Sequence, residues 1–283
     1  MLHVAATVGD LHTLQNASRW DLEQAQDDLT LTQRAAINGQ IEILKWLKQK
    51  GVCLDRWDIE GNTALMLLMS ADLSPAKKWQ TAKWLIDQHG NLEVCNQQKE
   101  TPLLLAVTHQ EYAIANYLLD AKAQVNVATI EGWTPLTLAL AEKDPPNYLI
   151  TRLLEAKADI HCSLSDITPL TVAIAHQHHS WVSTLYDKGV NINGTILAPL
   201  VVALEIGCPT SAQFLIEHGC LPLRRAFAED ILKTLAPALN PILDLRYRPL
   251  ILSSSLSVCT DVLHLIADYT VPTLQEWINS GWD

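Results

Sequence analysis

The chain has 283 residues, with 31 acidic side chains against 20 basic ones, a formal charge of −11 and an isoelectric point near 5.3. That balance argues against a nucleic-acid partner, because phosphate recognition needs clustered lysine and arginine, and it favours a basic or neutral protein partner. The most apolar late stretch, residues 249–271, holds Asp261, His264 and Asp268, and so makes a poor membrane span.

A short phrase recurs along the chain. Leu2-His3-Val4-Ala5-Ala6 is a degenerate first copy, and Ala35-Ala36-Ile37-Asn38-Gly39-Gln40-Ile41-Glu42-Ile43-Leu44-Lys45-Trp46-Leu47 reads as two short helices. The third copy closes on Leu68 and carries about five extra residues around Ser70–Trp79, expected to lengthen the link between its helices. Three clear copies follow: Thr101-Pro102-Leu103-Leu104-Leu105-Ala106, Thr134-Pro135-Leu136-Thr137-Leu138-Ala139 and Thr168-Pro169-Leu170-Thr171-Val172-Ala173. Aligned on Ala5, Ala35, Leu68, Ala106, Ala139, Ala173 and Ala203, the spacings are 30, 33, 38, 33, 34 and 30. A period near 33 predicts a stack of supersecondary units, about seven across residues 1–220.

The phrase has a physical reading. A threonine hydroxyl accepts from an orphan amide at a helix start, and proline suits the first turn. Apolar residues then recur at helical spacing, as in Leu103, Ala106 and Val107. Gly51, Gly189 and Gly219 follow the second helices, where a left-handed cap favours glycine. Lys122 and Lys157 stand where that glycine belongs. They cost about 1 kcal/mol each if the left-handed geometry is kept.

Beyond Cys220 the rhythm stops. In residues 221–283, helices are expected over Leu223–Leu235, Val258–Tyr269 and Thr273–Ile278, with Pro237, Pro241 and Pro249 breaking the chain between the first two. This region is expected to be a helical cap over the last repeat, since a stack needs a polar end.

The copies resemble the ankyrin repeat family. The resemblance implies an all-α solenoid of paired antiparallel helices with hairpin loops, and a protein partner held on the concave face by hairpin tips and first helices. The implied tip positions are Trp57, Ile59 and Asn62, then Gln97, Gln98 and Glu100, then Ile130, Glu131 and Trp133, and Ile167 one copy later. The helix positions facing the same groove are Asn38, Thr108, His109, Glu142 and His176. Trp57 and Trp133 are expected as anchors, and Trp46, Trp84 and Trp181 as packing between copies. The family's usual histidine survives only as His3, with Met66, Leu104, Thr137, Thr171 and Val201 in its place.

Three function classes follow. The first is a non-catalytic protein-interaction scaffold; ankyrin arrays as diverged as this one also occur in proteins that intracellular bacteria inject into host cells. The second rests on Val262-Leu263-x-x-Ile266-x-x-Tyr269 after Leu256, which resembles the first helix of an F-box. It implies a ubiquitin-ligase substrate receptor with Val262, Ile266 and Tyr269 on the adaptor. The third is an enzyme with a site between repeats and tail.

Neither catalytic residues nor a cofactor is expected. The chain has no P-loop, G-x-S-x-G, H-E-x-x-H or dinucleotide glycine run. His176, His178 and His179 read as solvated rather than as zinc ligands, and the adjacent side chains of His161 and Cys162 diverge. The six cysteines lie far apart without a C-x-x-C pair, and Asp10 interrupts the first apolar stretch. A reducing, cytoplasmic compartment without a secretory signal is therefore expected.

Overall fold

The computed structural model describes residues 2–23, 28–88, 90–161, 168–192, 199–206 and 208–218. Every regular element among them is a helix. The expected C-terminal helices, the 220/221 boundary, Ile167, Cys162, Val262, Ile266 and Tyr269 lie outside the described residues. The chain divides into two compact parts, Met1–Asp159 and Ile160–Asp283.

In the N-terminal part, the first repeat holds α1 (Leu2–Val8), a short α2 (Leu11–Leu14) and α3 (Arg19–Glu23). Four helix pairs follow: α4 (Leu31–Ile37) with α5 (Ile41–Gln49), α6 (Ala64–Ser70) with α7 (Pro75–Asp87), α8 (Pro102–Thr108) with α9 (Tyr112–Asp120), and α10 (Pro135–Ala141) with α11 (Asn147–Glu155). First helices stack on first helices, α1 on α4, α6, α8 and α10 in turn, while α7, α9 and α11 stack behind them. The C-terminal part repeats the plan with α12 (Pro169–Ala175), α13 (His179–Asp187), α14 (Pro199–Glu205) and α15 (Pro209–Glu217). Among the described residues all seven first helices are seven residues long, and each buries the residue that closes the phrase: Ala5, Ala35, Leu68, Ala106, Ala139, Ala173 or Ala203. A buried alanine permits close backbone approach between stacked helices.

The threonine starts act as the sequence implies. Thr30, Thr63, Thr101, Thr134 and Thr168 are buried, and each accepts from the amide three residues on, at 3.1–3.4 Å. In α10 and α12 the favour is returned by Thr137 and Thr171, which accept from the amides of Thr134 at 2.8 Å and Thr168 at 2.9 Å. A threonine at the family's histidine position therefore closes a capping box. In α4 that position is Gln33, fully buried, which accepts from the Thr30 amide at 2.7 Å and donates to the carbonyl oxygens of Asn62 (2.9 Å) and Arg56 (3.3 Å) in the next hairpin.

The second helices end in Schellman caps. Val52, Ala123, Ala158 and Val190 donate back to Leu47, Leu118, Leu153 and Leu185, and all four are buried. The residue before each is left-handed: Gly51 at φ +74° and Gly189 at +87°, but Lys122 at +67° and Lys157 at +64°. The lysines thus keep the strained geometry.

The insertion in the third repeat lies around Ser70–Trp79 as expected, but it lengthens the second helix more than the link. The link from α6 to α7 spans residues 71–74, one residue longer than the link from α4 to α5. The rest lengthens α7 to 13 residues, against nine in α5 and α9. Pro75 in the first turn and Ser74 in extended conformation start the helix one turn early. That extra turn carries Lys78 into the interior, where its ammonium donates to the Met69 carbonyl at 3.0 Å and pairs with Glu111 at 2.7 Å.

Two stability outcomes follow. Glu111→Ala strands a buried ammonium and is expected to cost about 2–3 kcal/mol in urea unfolding, with most of it recovered in Lys78→Met/Glu111→Leu. Lys122→Gly and Lys157→Gly relieve left-handed strain, and each is expected to raise stability by about 0.5–1 kcal/mol, read as a higher urea midpoint.

Candidate functional site

The chain between a second helix and the next first helix turns through a hairpin, and in the N-terminal part three such hairpins line up. Each is closed by two main-chain bonds: Asp58 to Asn62 and Gly61 to Asp58, Asn96 to Glu100 and Lys99 to Asn96, Thr129 to Trp133 and Gly132 to Thr129. A short polar side chain braces the turn from within. The Asp58 carboxylate accepts from the amides of Glu60 (2.9 Å) and Asn62 (2.8 Å), Asn96 Oδ1 from those of Gln98 (3.0 Å) and Glu100 (2.9 Å), and Thr129 Oγ1 from that of Trp133 (3.2 Å). Sequence reasoning misses these three residues. The available signal is an Asp, Asn or Thr five positions before the capping threonine, as in Asp58 and Thr63.

The hairpins are also bonded to one another. The Gln97 amide donates to the Glu60 carbonyl at 2.9 Å, the Ile130 amide to the Gln98 carbonyl at 3.1 Å, and Asn96 Nδ2 to Asn62 Oδ1 at 3.0 Å. The tips form one braced crest, and it displays apolar side chains. Trp57 is 65% exposed, Ile59 69% and Ile130 54%. Gln98 and Glu131 are exposed beside them, and Glu100 is half-buried, accepting from Asn96 Nδ2 at 2.7 Å.

Two tip residues are not presented as expected. Asn62 is only 8% exposed, because its side chain joins the hairpins and its carbonyl receives Gln33. Trp133 is half-buried at the equivalent position of its own hairpin, so its ring is only partly available. On the first helices, Thr108 and His109 are exposed at the end of α8, and Asn38 is half-buried, its amide donating to the Arg34 carbonyl at 2.8 Å. Glu142 follows α10 and accepts from Gln110 at 2.9 Å. Burial first, and the Glu142 carboxylate second, push the nearby Tyr112 phenol above its ordinary pKa. Val4 and Val8, which no expectation covered, are exposed on α1, Val8 holding in its repeat the place that His109 holds in α8.

In the C-terminal part, His176 is exposed at the end of α12 and its ring stacks on that of His178, centroids 6.0 Å apart. His179 turns from them to the Ser211 hydroxyl at 2.9 Å. Among the described residues no group of three or more His, Cys, Asp or Glu side chains is placed to hold a metal, and no helix is long and apolar enough to cross a membrane. Trp181 is buried as expected, whereas Trp46 and Trp84 are only half-buried on the outer side of α5 and α7.

Residues 68–162 match the family model for ankyrin repeats, in three copies. Over 142 residues the chain is 30% identical to YahD of Escherichia coli (strain K12), which is named as an ankyrin repeat protein; the match spans 47% of this chain and 70% of that relative.

Braced turns and exposed side chains separate by mutation. Trp57→Ala/Ile59→Ala is expected to leave the thermal midpoint essentially unchanged, within about 0.5 kcal/mol of stability. Asn96→Ala, which strips two amides and a neighbouring hairpin of their partner, is expected to cost about 1–2 kcal/mol by urea denaturation.

Proposed function

The chain belongs to the ankyrin repeat family, whose arrays are protein–protein interaction modules, and from that premise we propose that it is a non-catalytic scaffold gripping one protein partner along its hairpin crest. The observation that carries this reading is the pairing of rigidity with exposure. Trp57, Ile59 and Ile130 are more than half exposed, yet stand on turns whose backbone is fixed within and between hairpins. A binding surface already ordered in the free protein loses little conformational entropy on association, and an exposed tryptophan is a favoured anchor. Thr108, His109 and Glu142 on the first-helix side supply polar contacts, with Gln98, Glu100 and Glu131 at the crest. Free thiols at Cys53, Cys95 and Cys208 fit a reducing, cytoplasmic setting. The ligase-recruiting alternative rests on Val262, Ile266 and Tyr269, outside the described residues.

Affinity capture with mass spectrometry tests the proposal, using bacterial and eukaryotic cytosol in parallel. The wild-type chain is compared with Trp57→Ala/Ile59→Ala/Ile130→Ala and with Ile266→Asp, each checked by circular dichroism. A partner retained by wild type and Ile266→Asp but lost from the crest variant is the expected result. A partner indifferent to the crest variant sinks the crest as the binding surface, and ligase components lost only from Ile266→Asp would make the chain a substrate receptor.

A further inference from the structure

The outward side of the second helices carries charge opposite to that of the chain as a whole. Residues 41–50 and 75–88 hold six lysines and two acidic residues, of which four lysines and both acidic residues are exposed, a local +2 in a chain whose total is −11. Two of the lysines are committed elsewhere: Lys78 is buried against Glu111, and the Lys77 side chain lies over Gly39. Lys45, Lys48, Lys50 and Lys83 are exposed. The two acidic groups have partners on this face, Asp87 the Tyr117 hydroxyl at 2.5 Å and Glu42 the Lys45 ammonium at 2.7 Å, in an exposed pair that leaves Lys45 open to a second carboxylate.

Aromatic rings interleave with these ammonium groups. Lys50 stands over the Trp46 ring at 5.6 Å, and Lys83 over the Tyr117 ring at 5.6 Å, where Trp79 also packs edge-on at 5.4 Å. Trp46 and Trp84 occupy the same register on α5 and α7, both half-buried, and the two helices are joined by Lys48 donating to Gln88 at 2.6 Å. The face is a strip of partly exposed rings bordered by cations.

We propose that this strip docks a short acidic segment of a partner protein, with carboxylates meeting Lys45, Lys48 and Lys83 and an apolar side chain lying on Trp46 and Trp84. Charge complementarity selects an acidic occupant, and the extent of the patch selects a short one. At physiological ionic strength charges are screened over about 8 Å, so a small ligand experiences the local sign and not the chain's total. A longer polyanion also meets the net negative remainder of the chain. That disfavours a nucleic acid or an anionic bilayer on the same face. The strip uses second helices and the crest uses hairpins, so the two surfaces are separable by mutation.

Fluorescence anisotropy on the full chain tests this with a fluorescein-labelled peptide of alternating Glu and Leu. An alternating Lys and Leu peptide, oligothymidylate and vesicles of phosphatidylcholine with phosphatidylserine serve as comparisons. The acidic peptide is expected to bind, to weaken as salt rises, and to bind about tenfold or more weakly to Lys45→Glu/Lys48→Glu/Lys83→Glu. The crest variant Trp57→Ala/Ile59→Ala should bind it as wild type does. If the triple reversal does not fold by circular dichroism, Lys48→Gln/Lys83→Gln takes its place, with a smaller loss expected. Equal binding of acidic and basic peptides, indifference to the lysine changes, loss in the crest variant, or stronger binding of oligothymidylate or vesicles each overturns the proposal.

Discussion

Helices of seven and nine residues are too short to persist in water, because so few hydrogen bonds repay the cost of nucleation. Everything in this molecule answers that constraint. A threonine closes the start of each first helix from α4 to α12, a left-handed residue closes the end of α5, α9, α11 and α13, and apolar faces are completed by the neighbouring repeat. The polar groups of the hairpins follow the same logic one level up, since the Gln97 and Ile130 amides and Asn96 Nδ2 also find partners in the preceding hairpin.

Satisfying the backbone this way leaves the exposed side chains of Trp57, Ile59 and Ile130 outside that bonding. Asp58, Asn96 and Thr129 hold the turns from inside, so the identity of residues 57, 59 and 130 matters little to the fold. Such positions can carry tryptophan or isoleucine without cost to the fold. The outer face differs, because there side chains join successive second helices: Lys48 to Gln88, Tyr117 to Asp87, Arg152 to Asp120.

What the sequence made legible was what a single repeat decides for itself. The threonine caps, the closing alanines and the left-handed lysines depend on neighbours within a few positions, and each was readable from the phrase. What escaped it depends on partners about thirty positions away. Asn62 looks like a tip residue until Asn96 and Gln33 are set beside it, and Trp133 looks exposed until its hairpin closes. The third repeat's insertion was visible as a length, but only the helix start at Pro75 turned it into an extra turn and not a longer loop. The cationic strip was invisible for a related reason: Lys45 and Lys83 lie 38 residues apart, in a chain whose composition is acidic.

The buried pair between Lys78 and Glu111 also gives the array an order. Repeats built on one pattern could in principle stack on the wrong neighbour, and multi-repeat chains misassemble in this way. At the place of Glu111, the earlier repeats present Asp10, Gln40 and Ser74, and the later ones Pro146, His178 and Cys208. Only Asp10, in the first repeat, is a carboxylate, and none of the repeats after the fourth offers one to a buried ammonium. A chain that skipped the fourth repeat and stacked a later one on the third would have to desolvate Lys78 without compensation, so among the repeats that follow it the third matches the fourth alone.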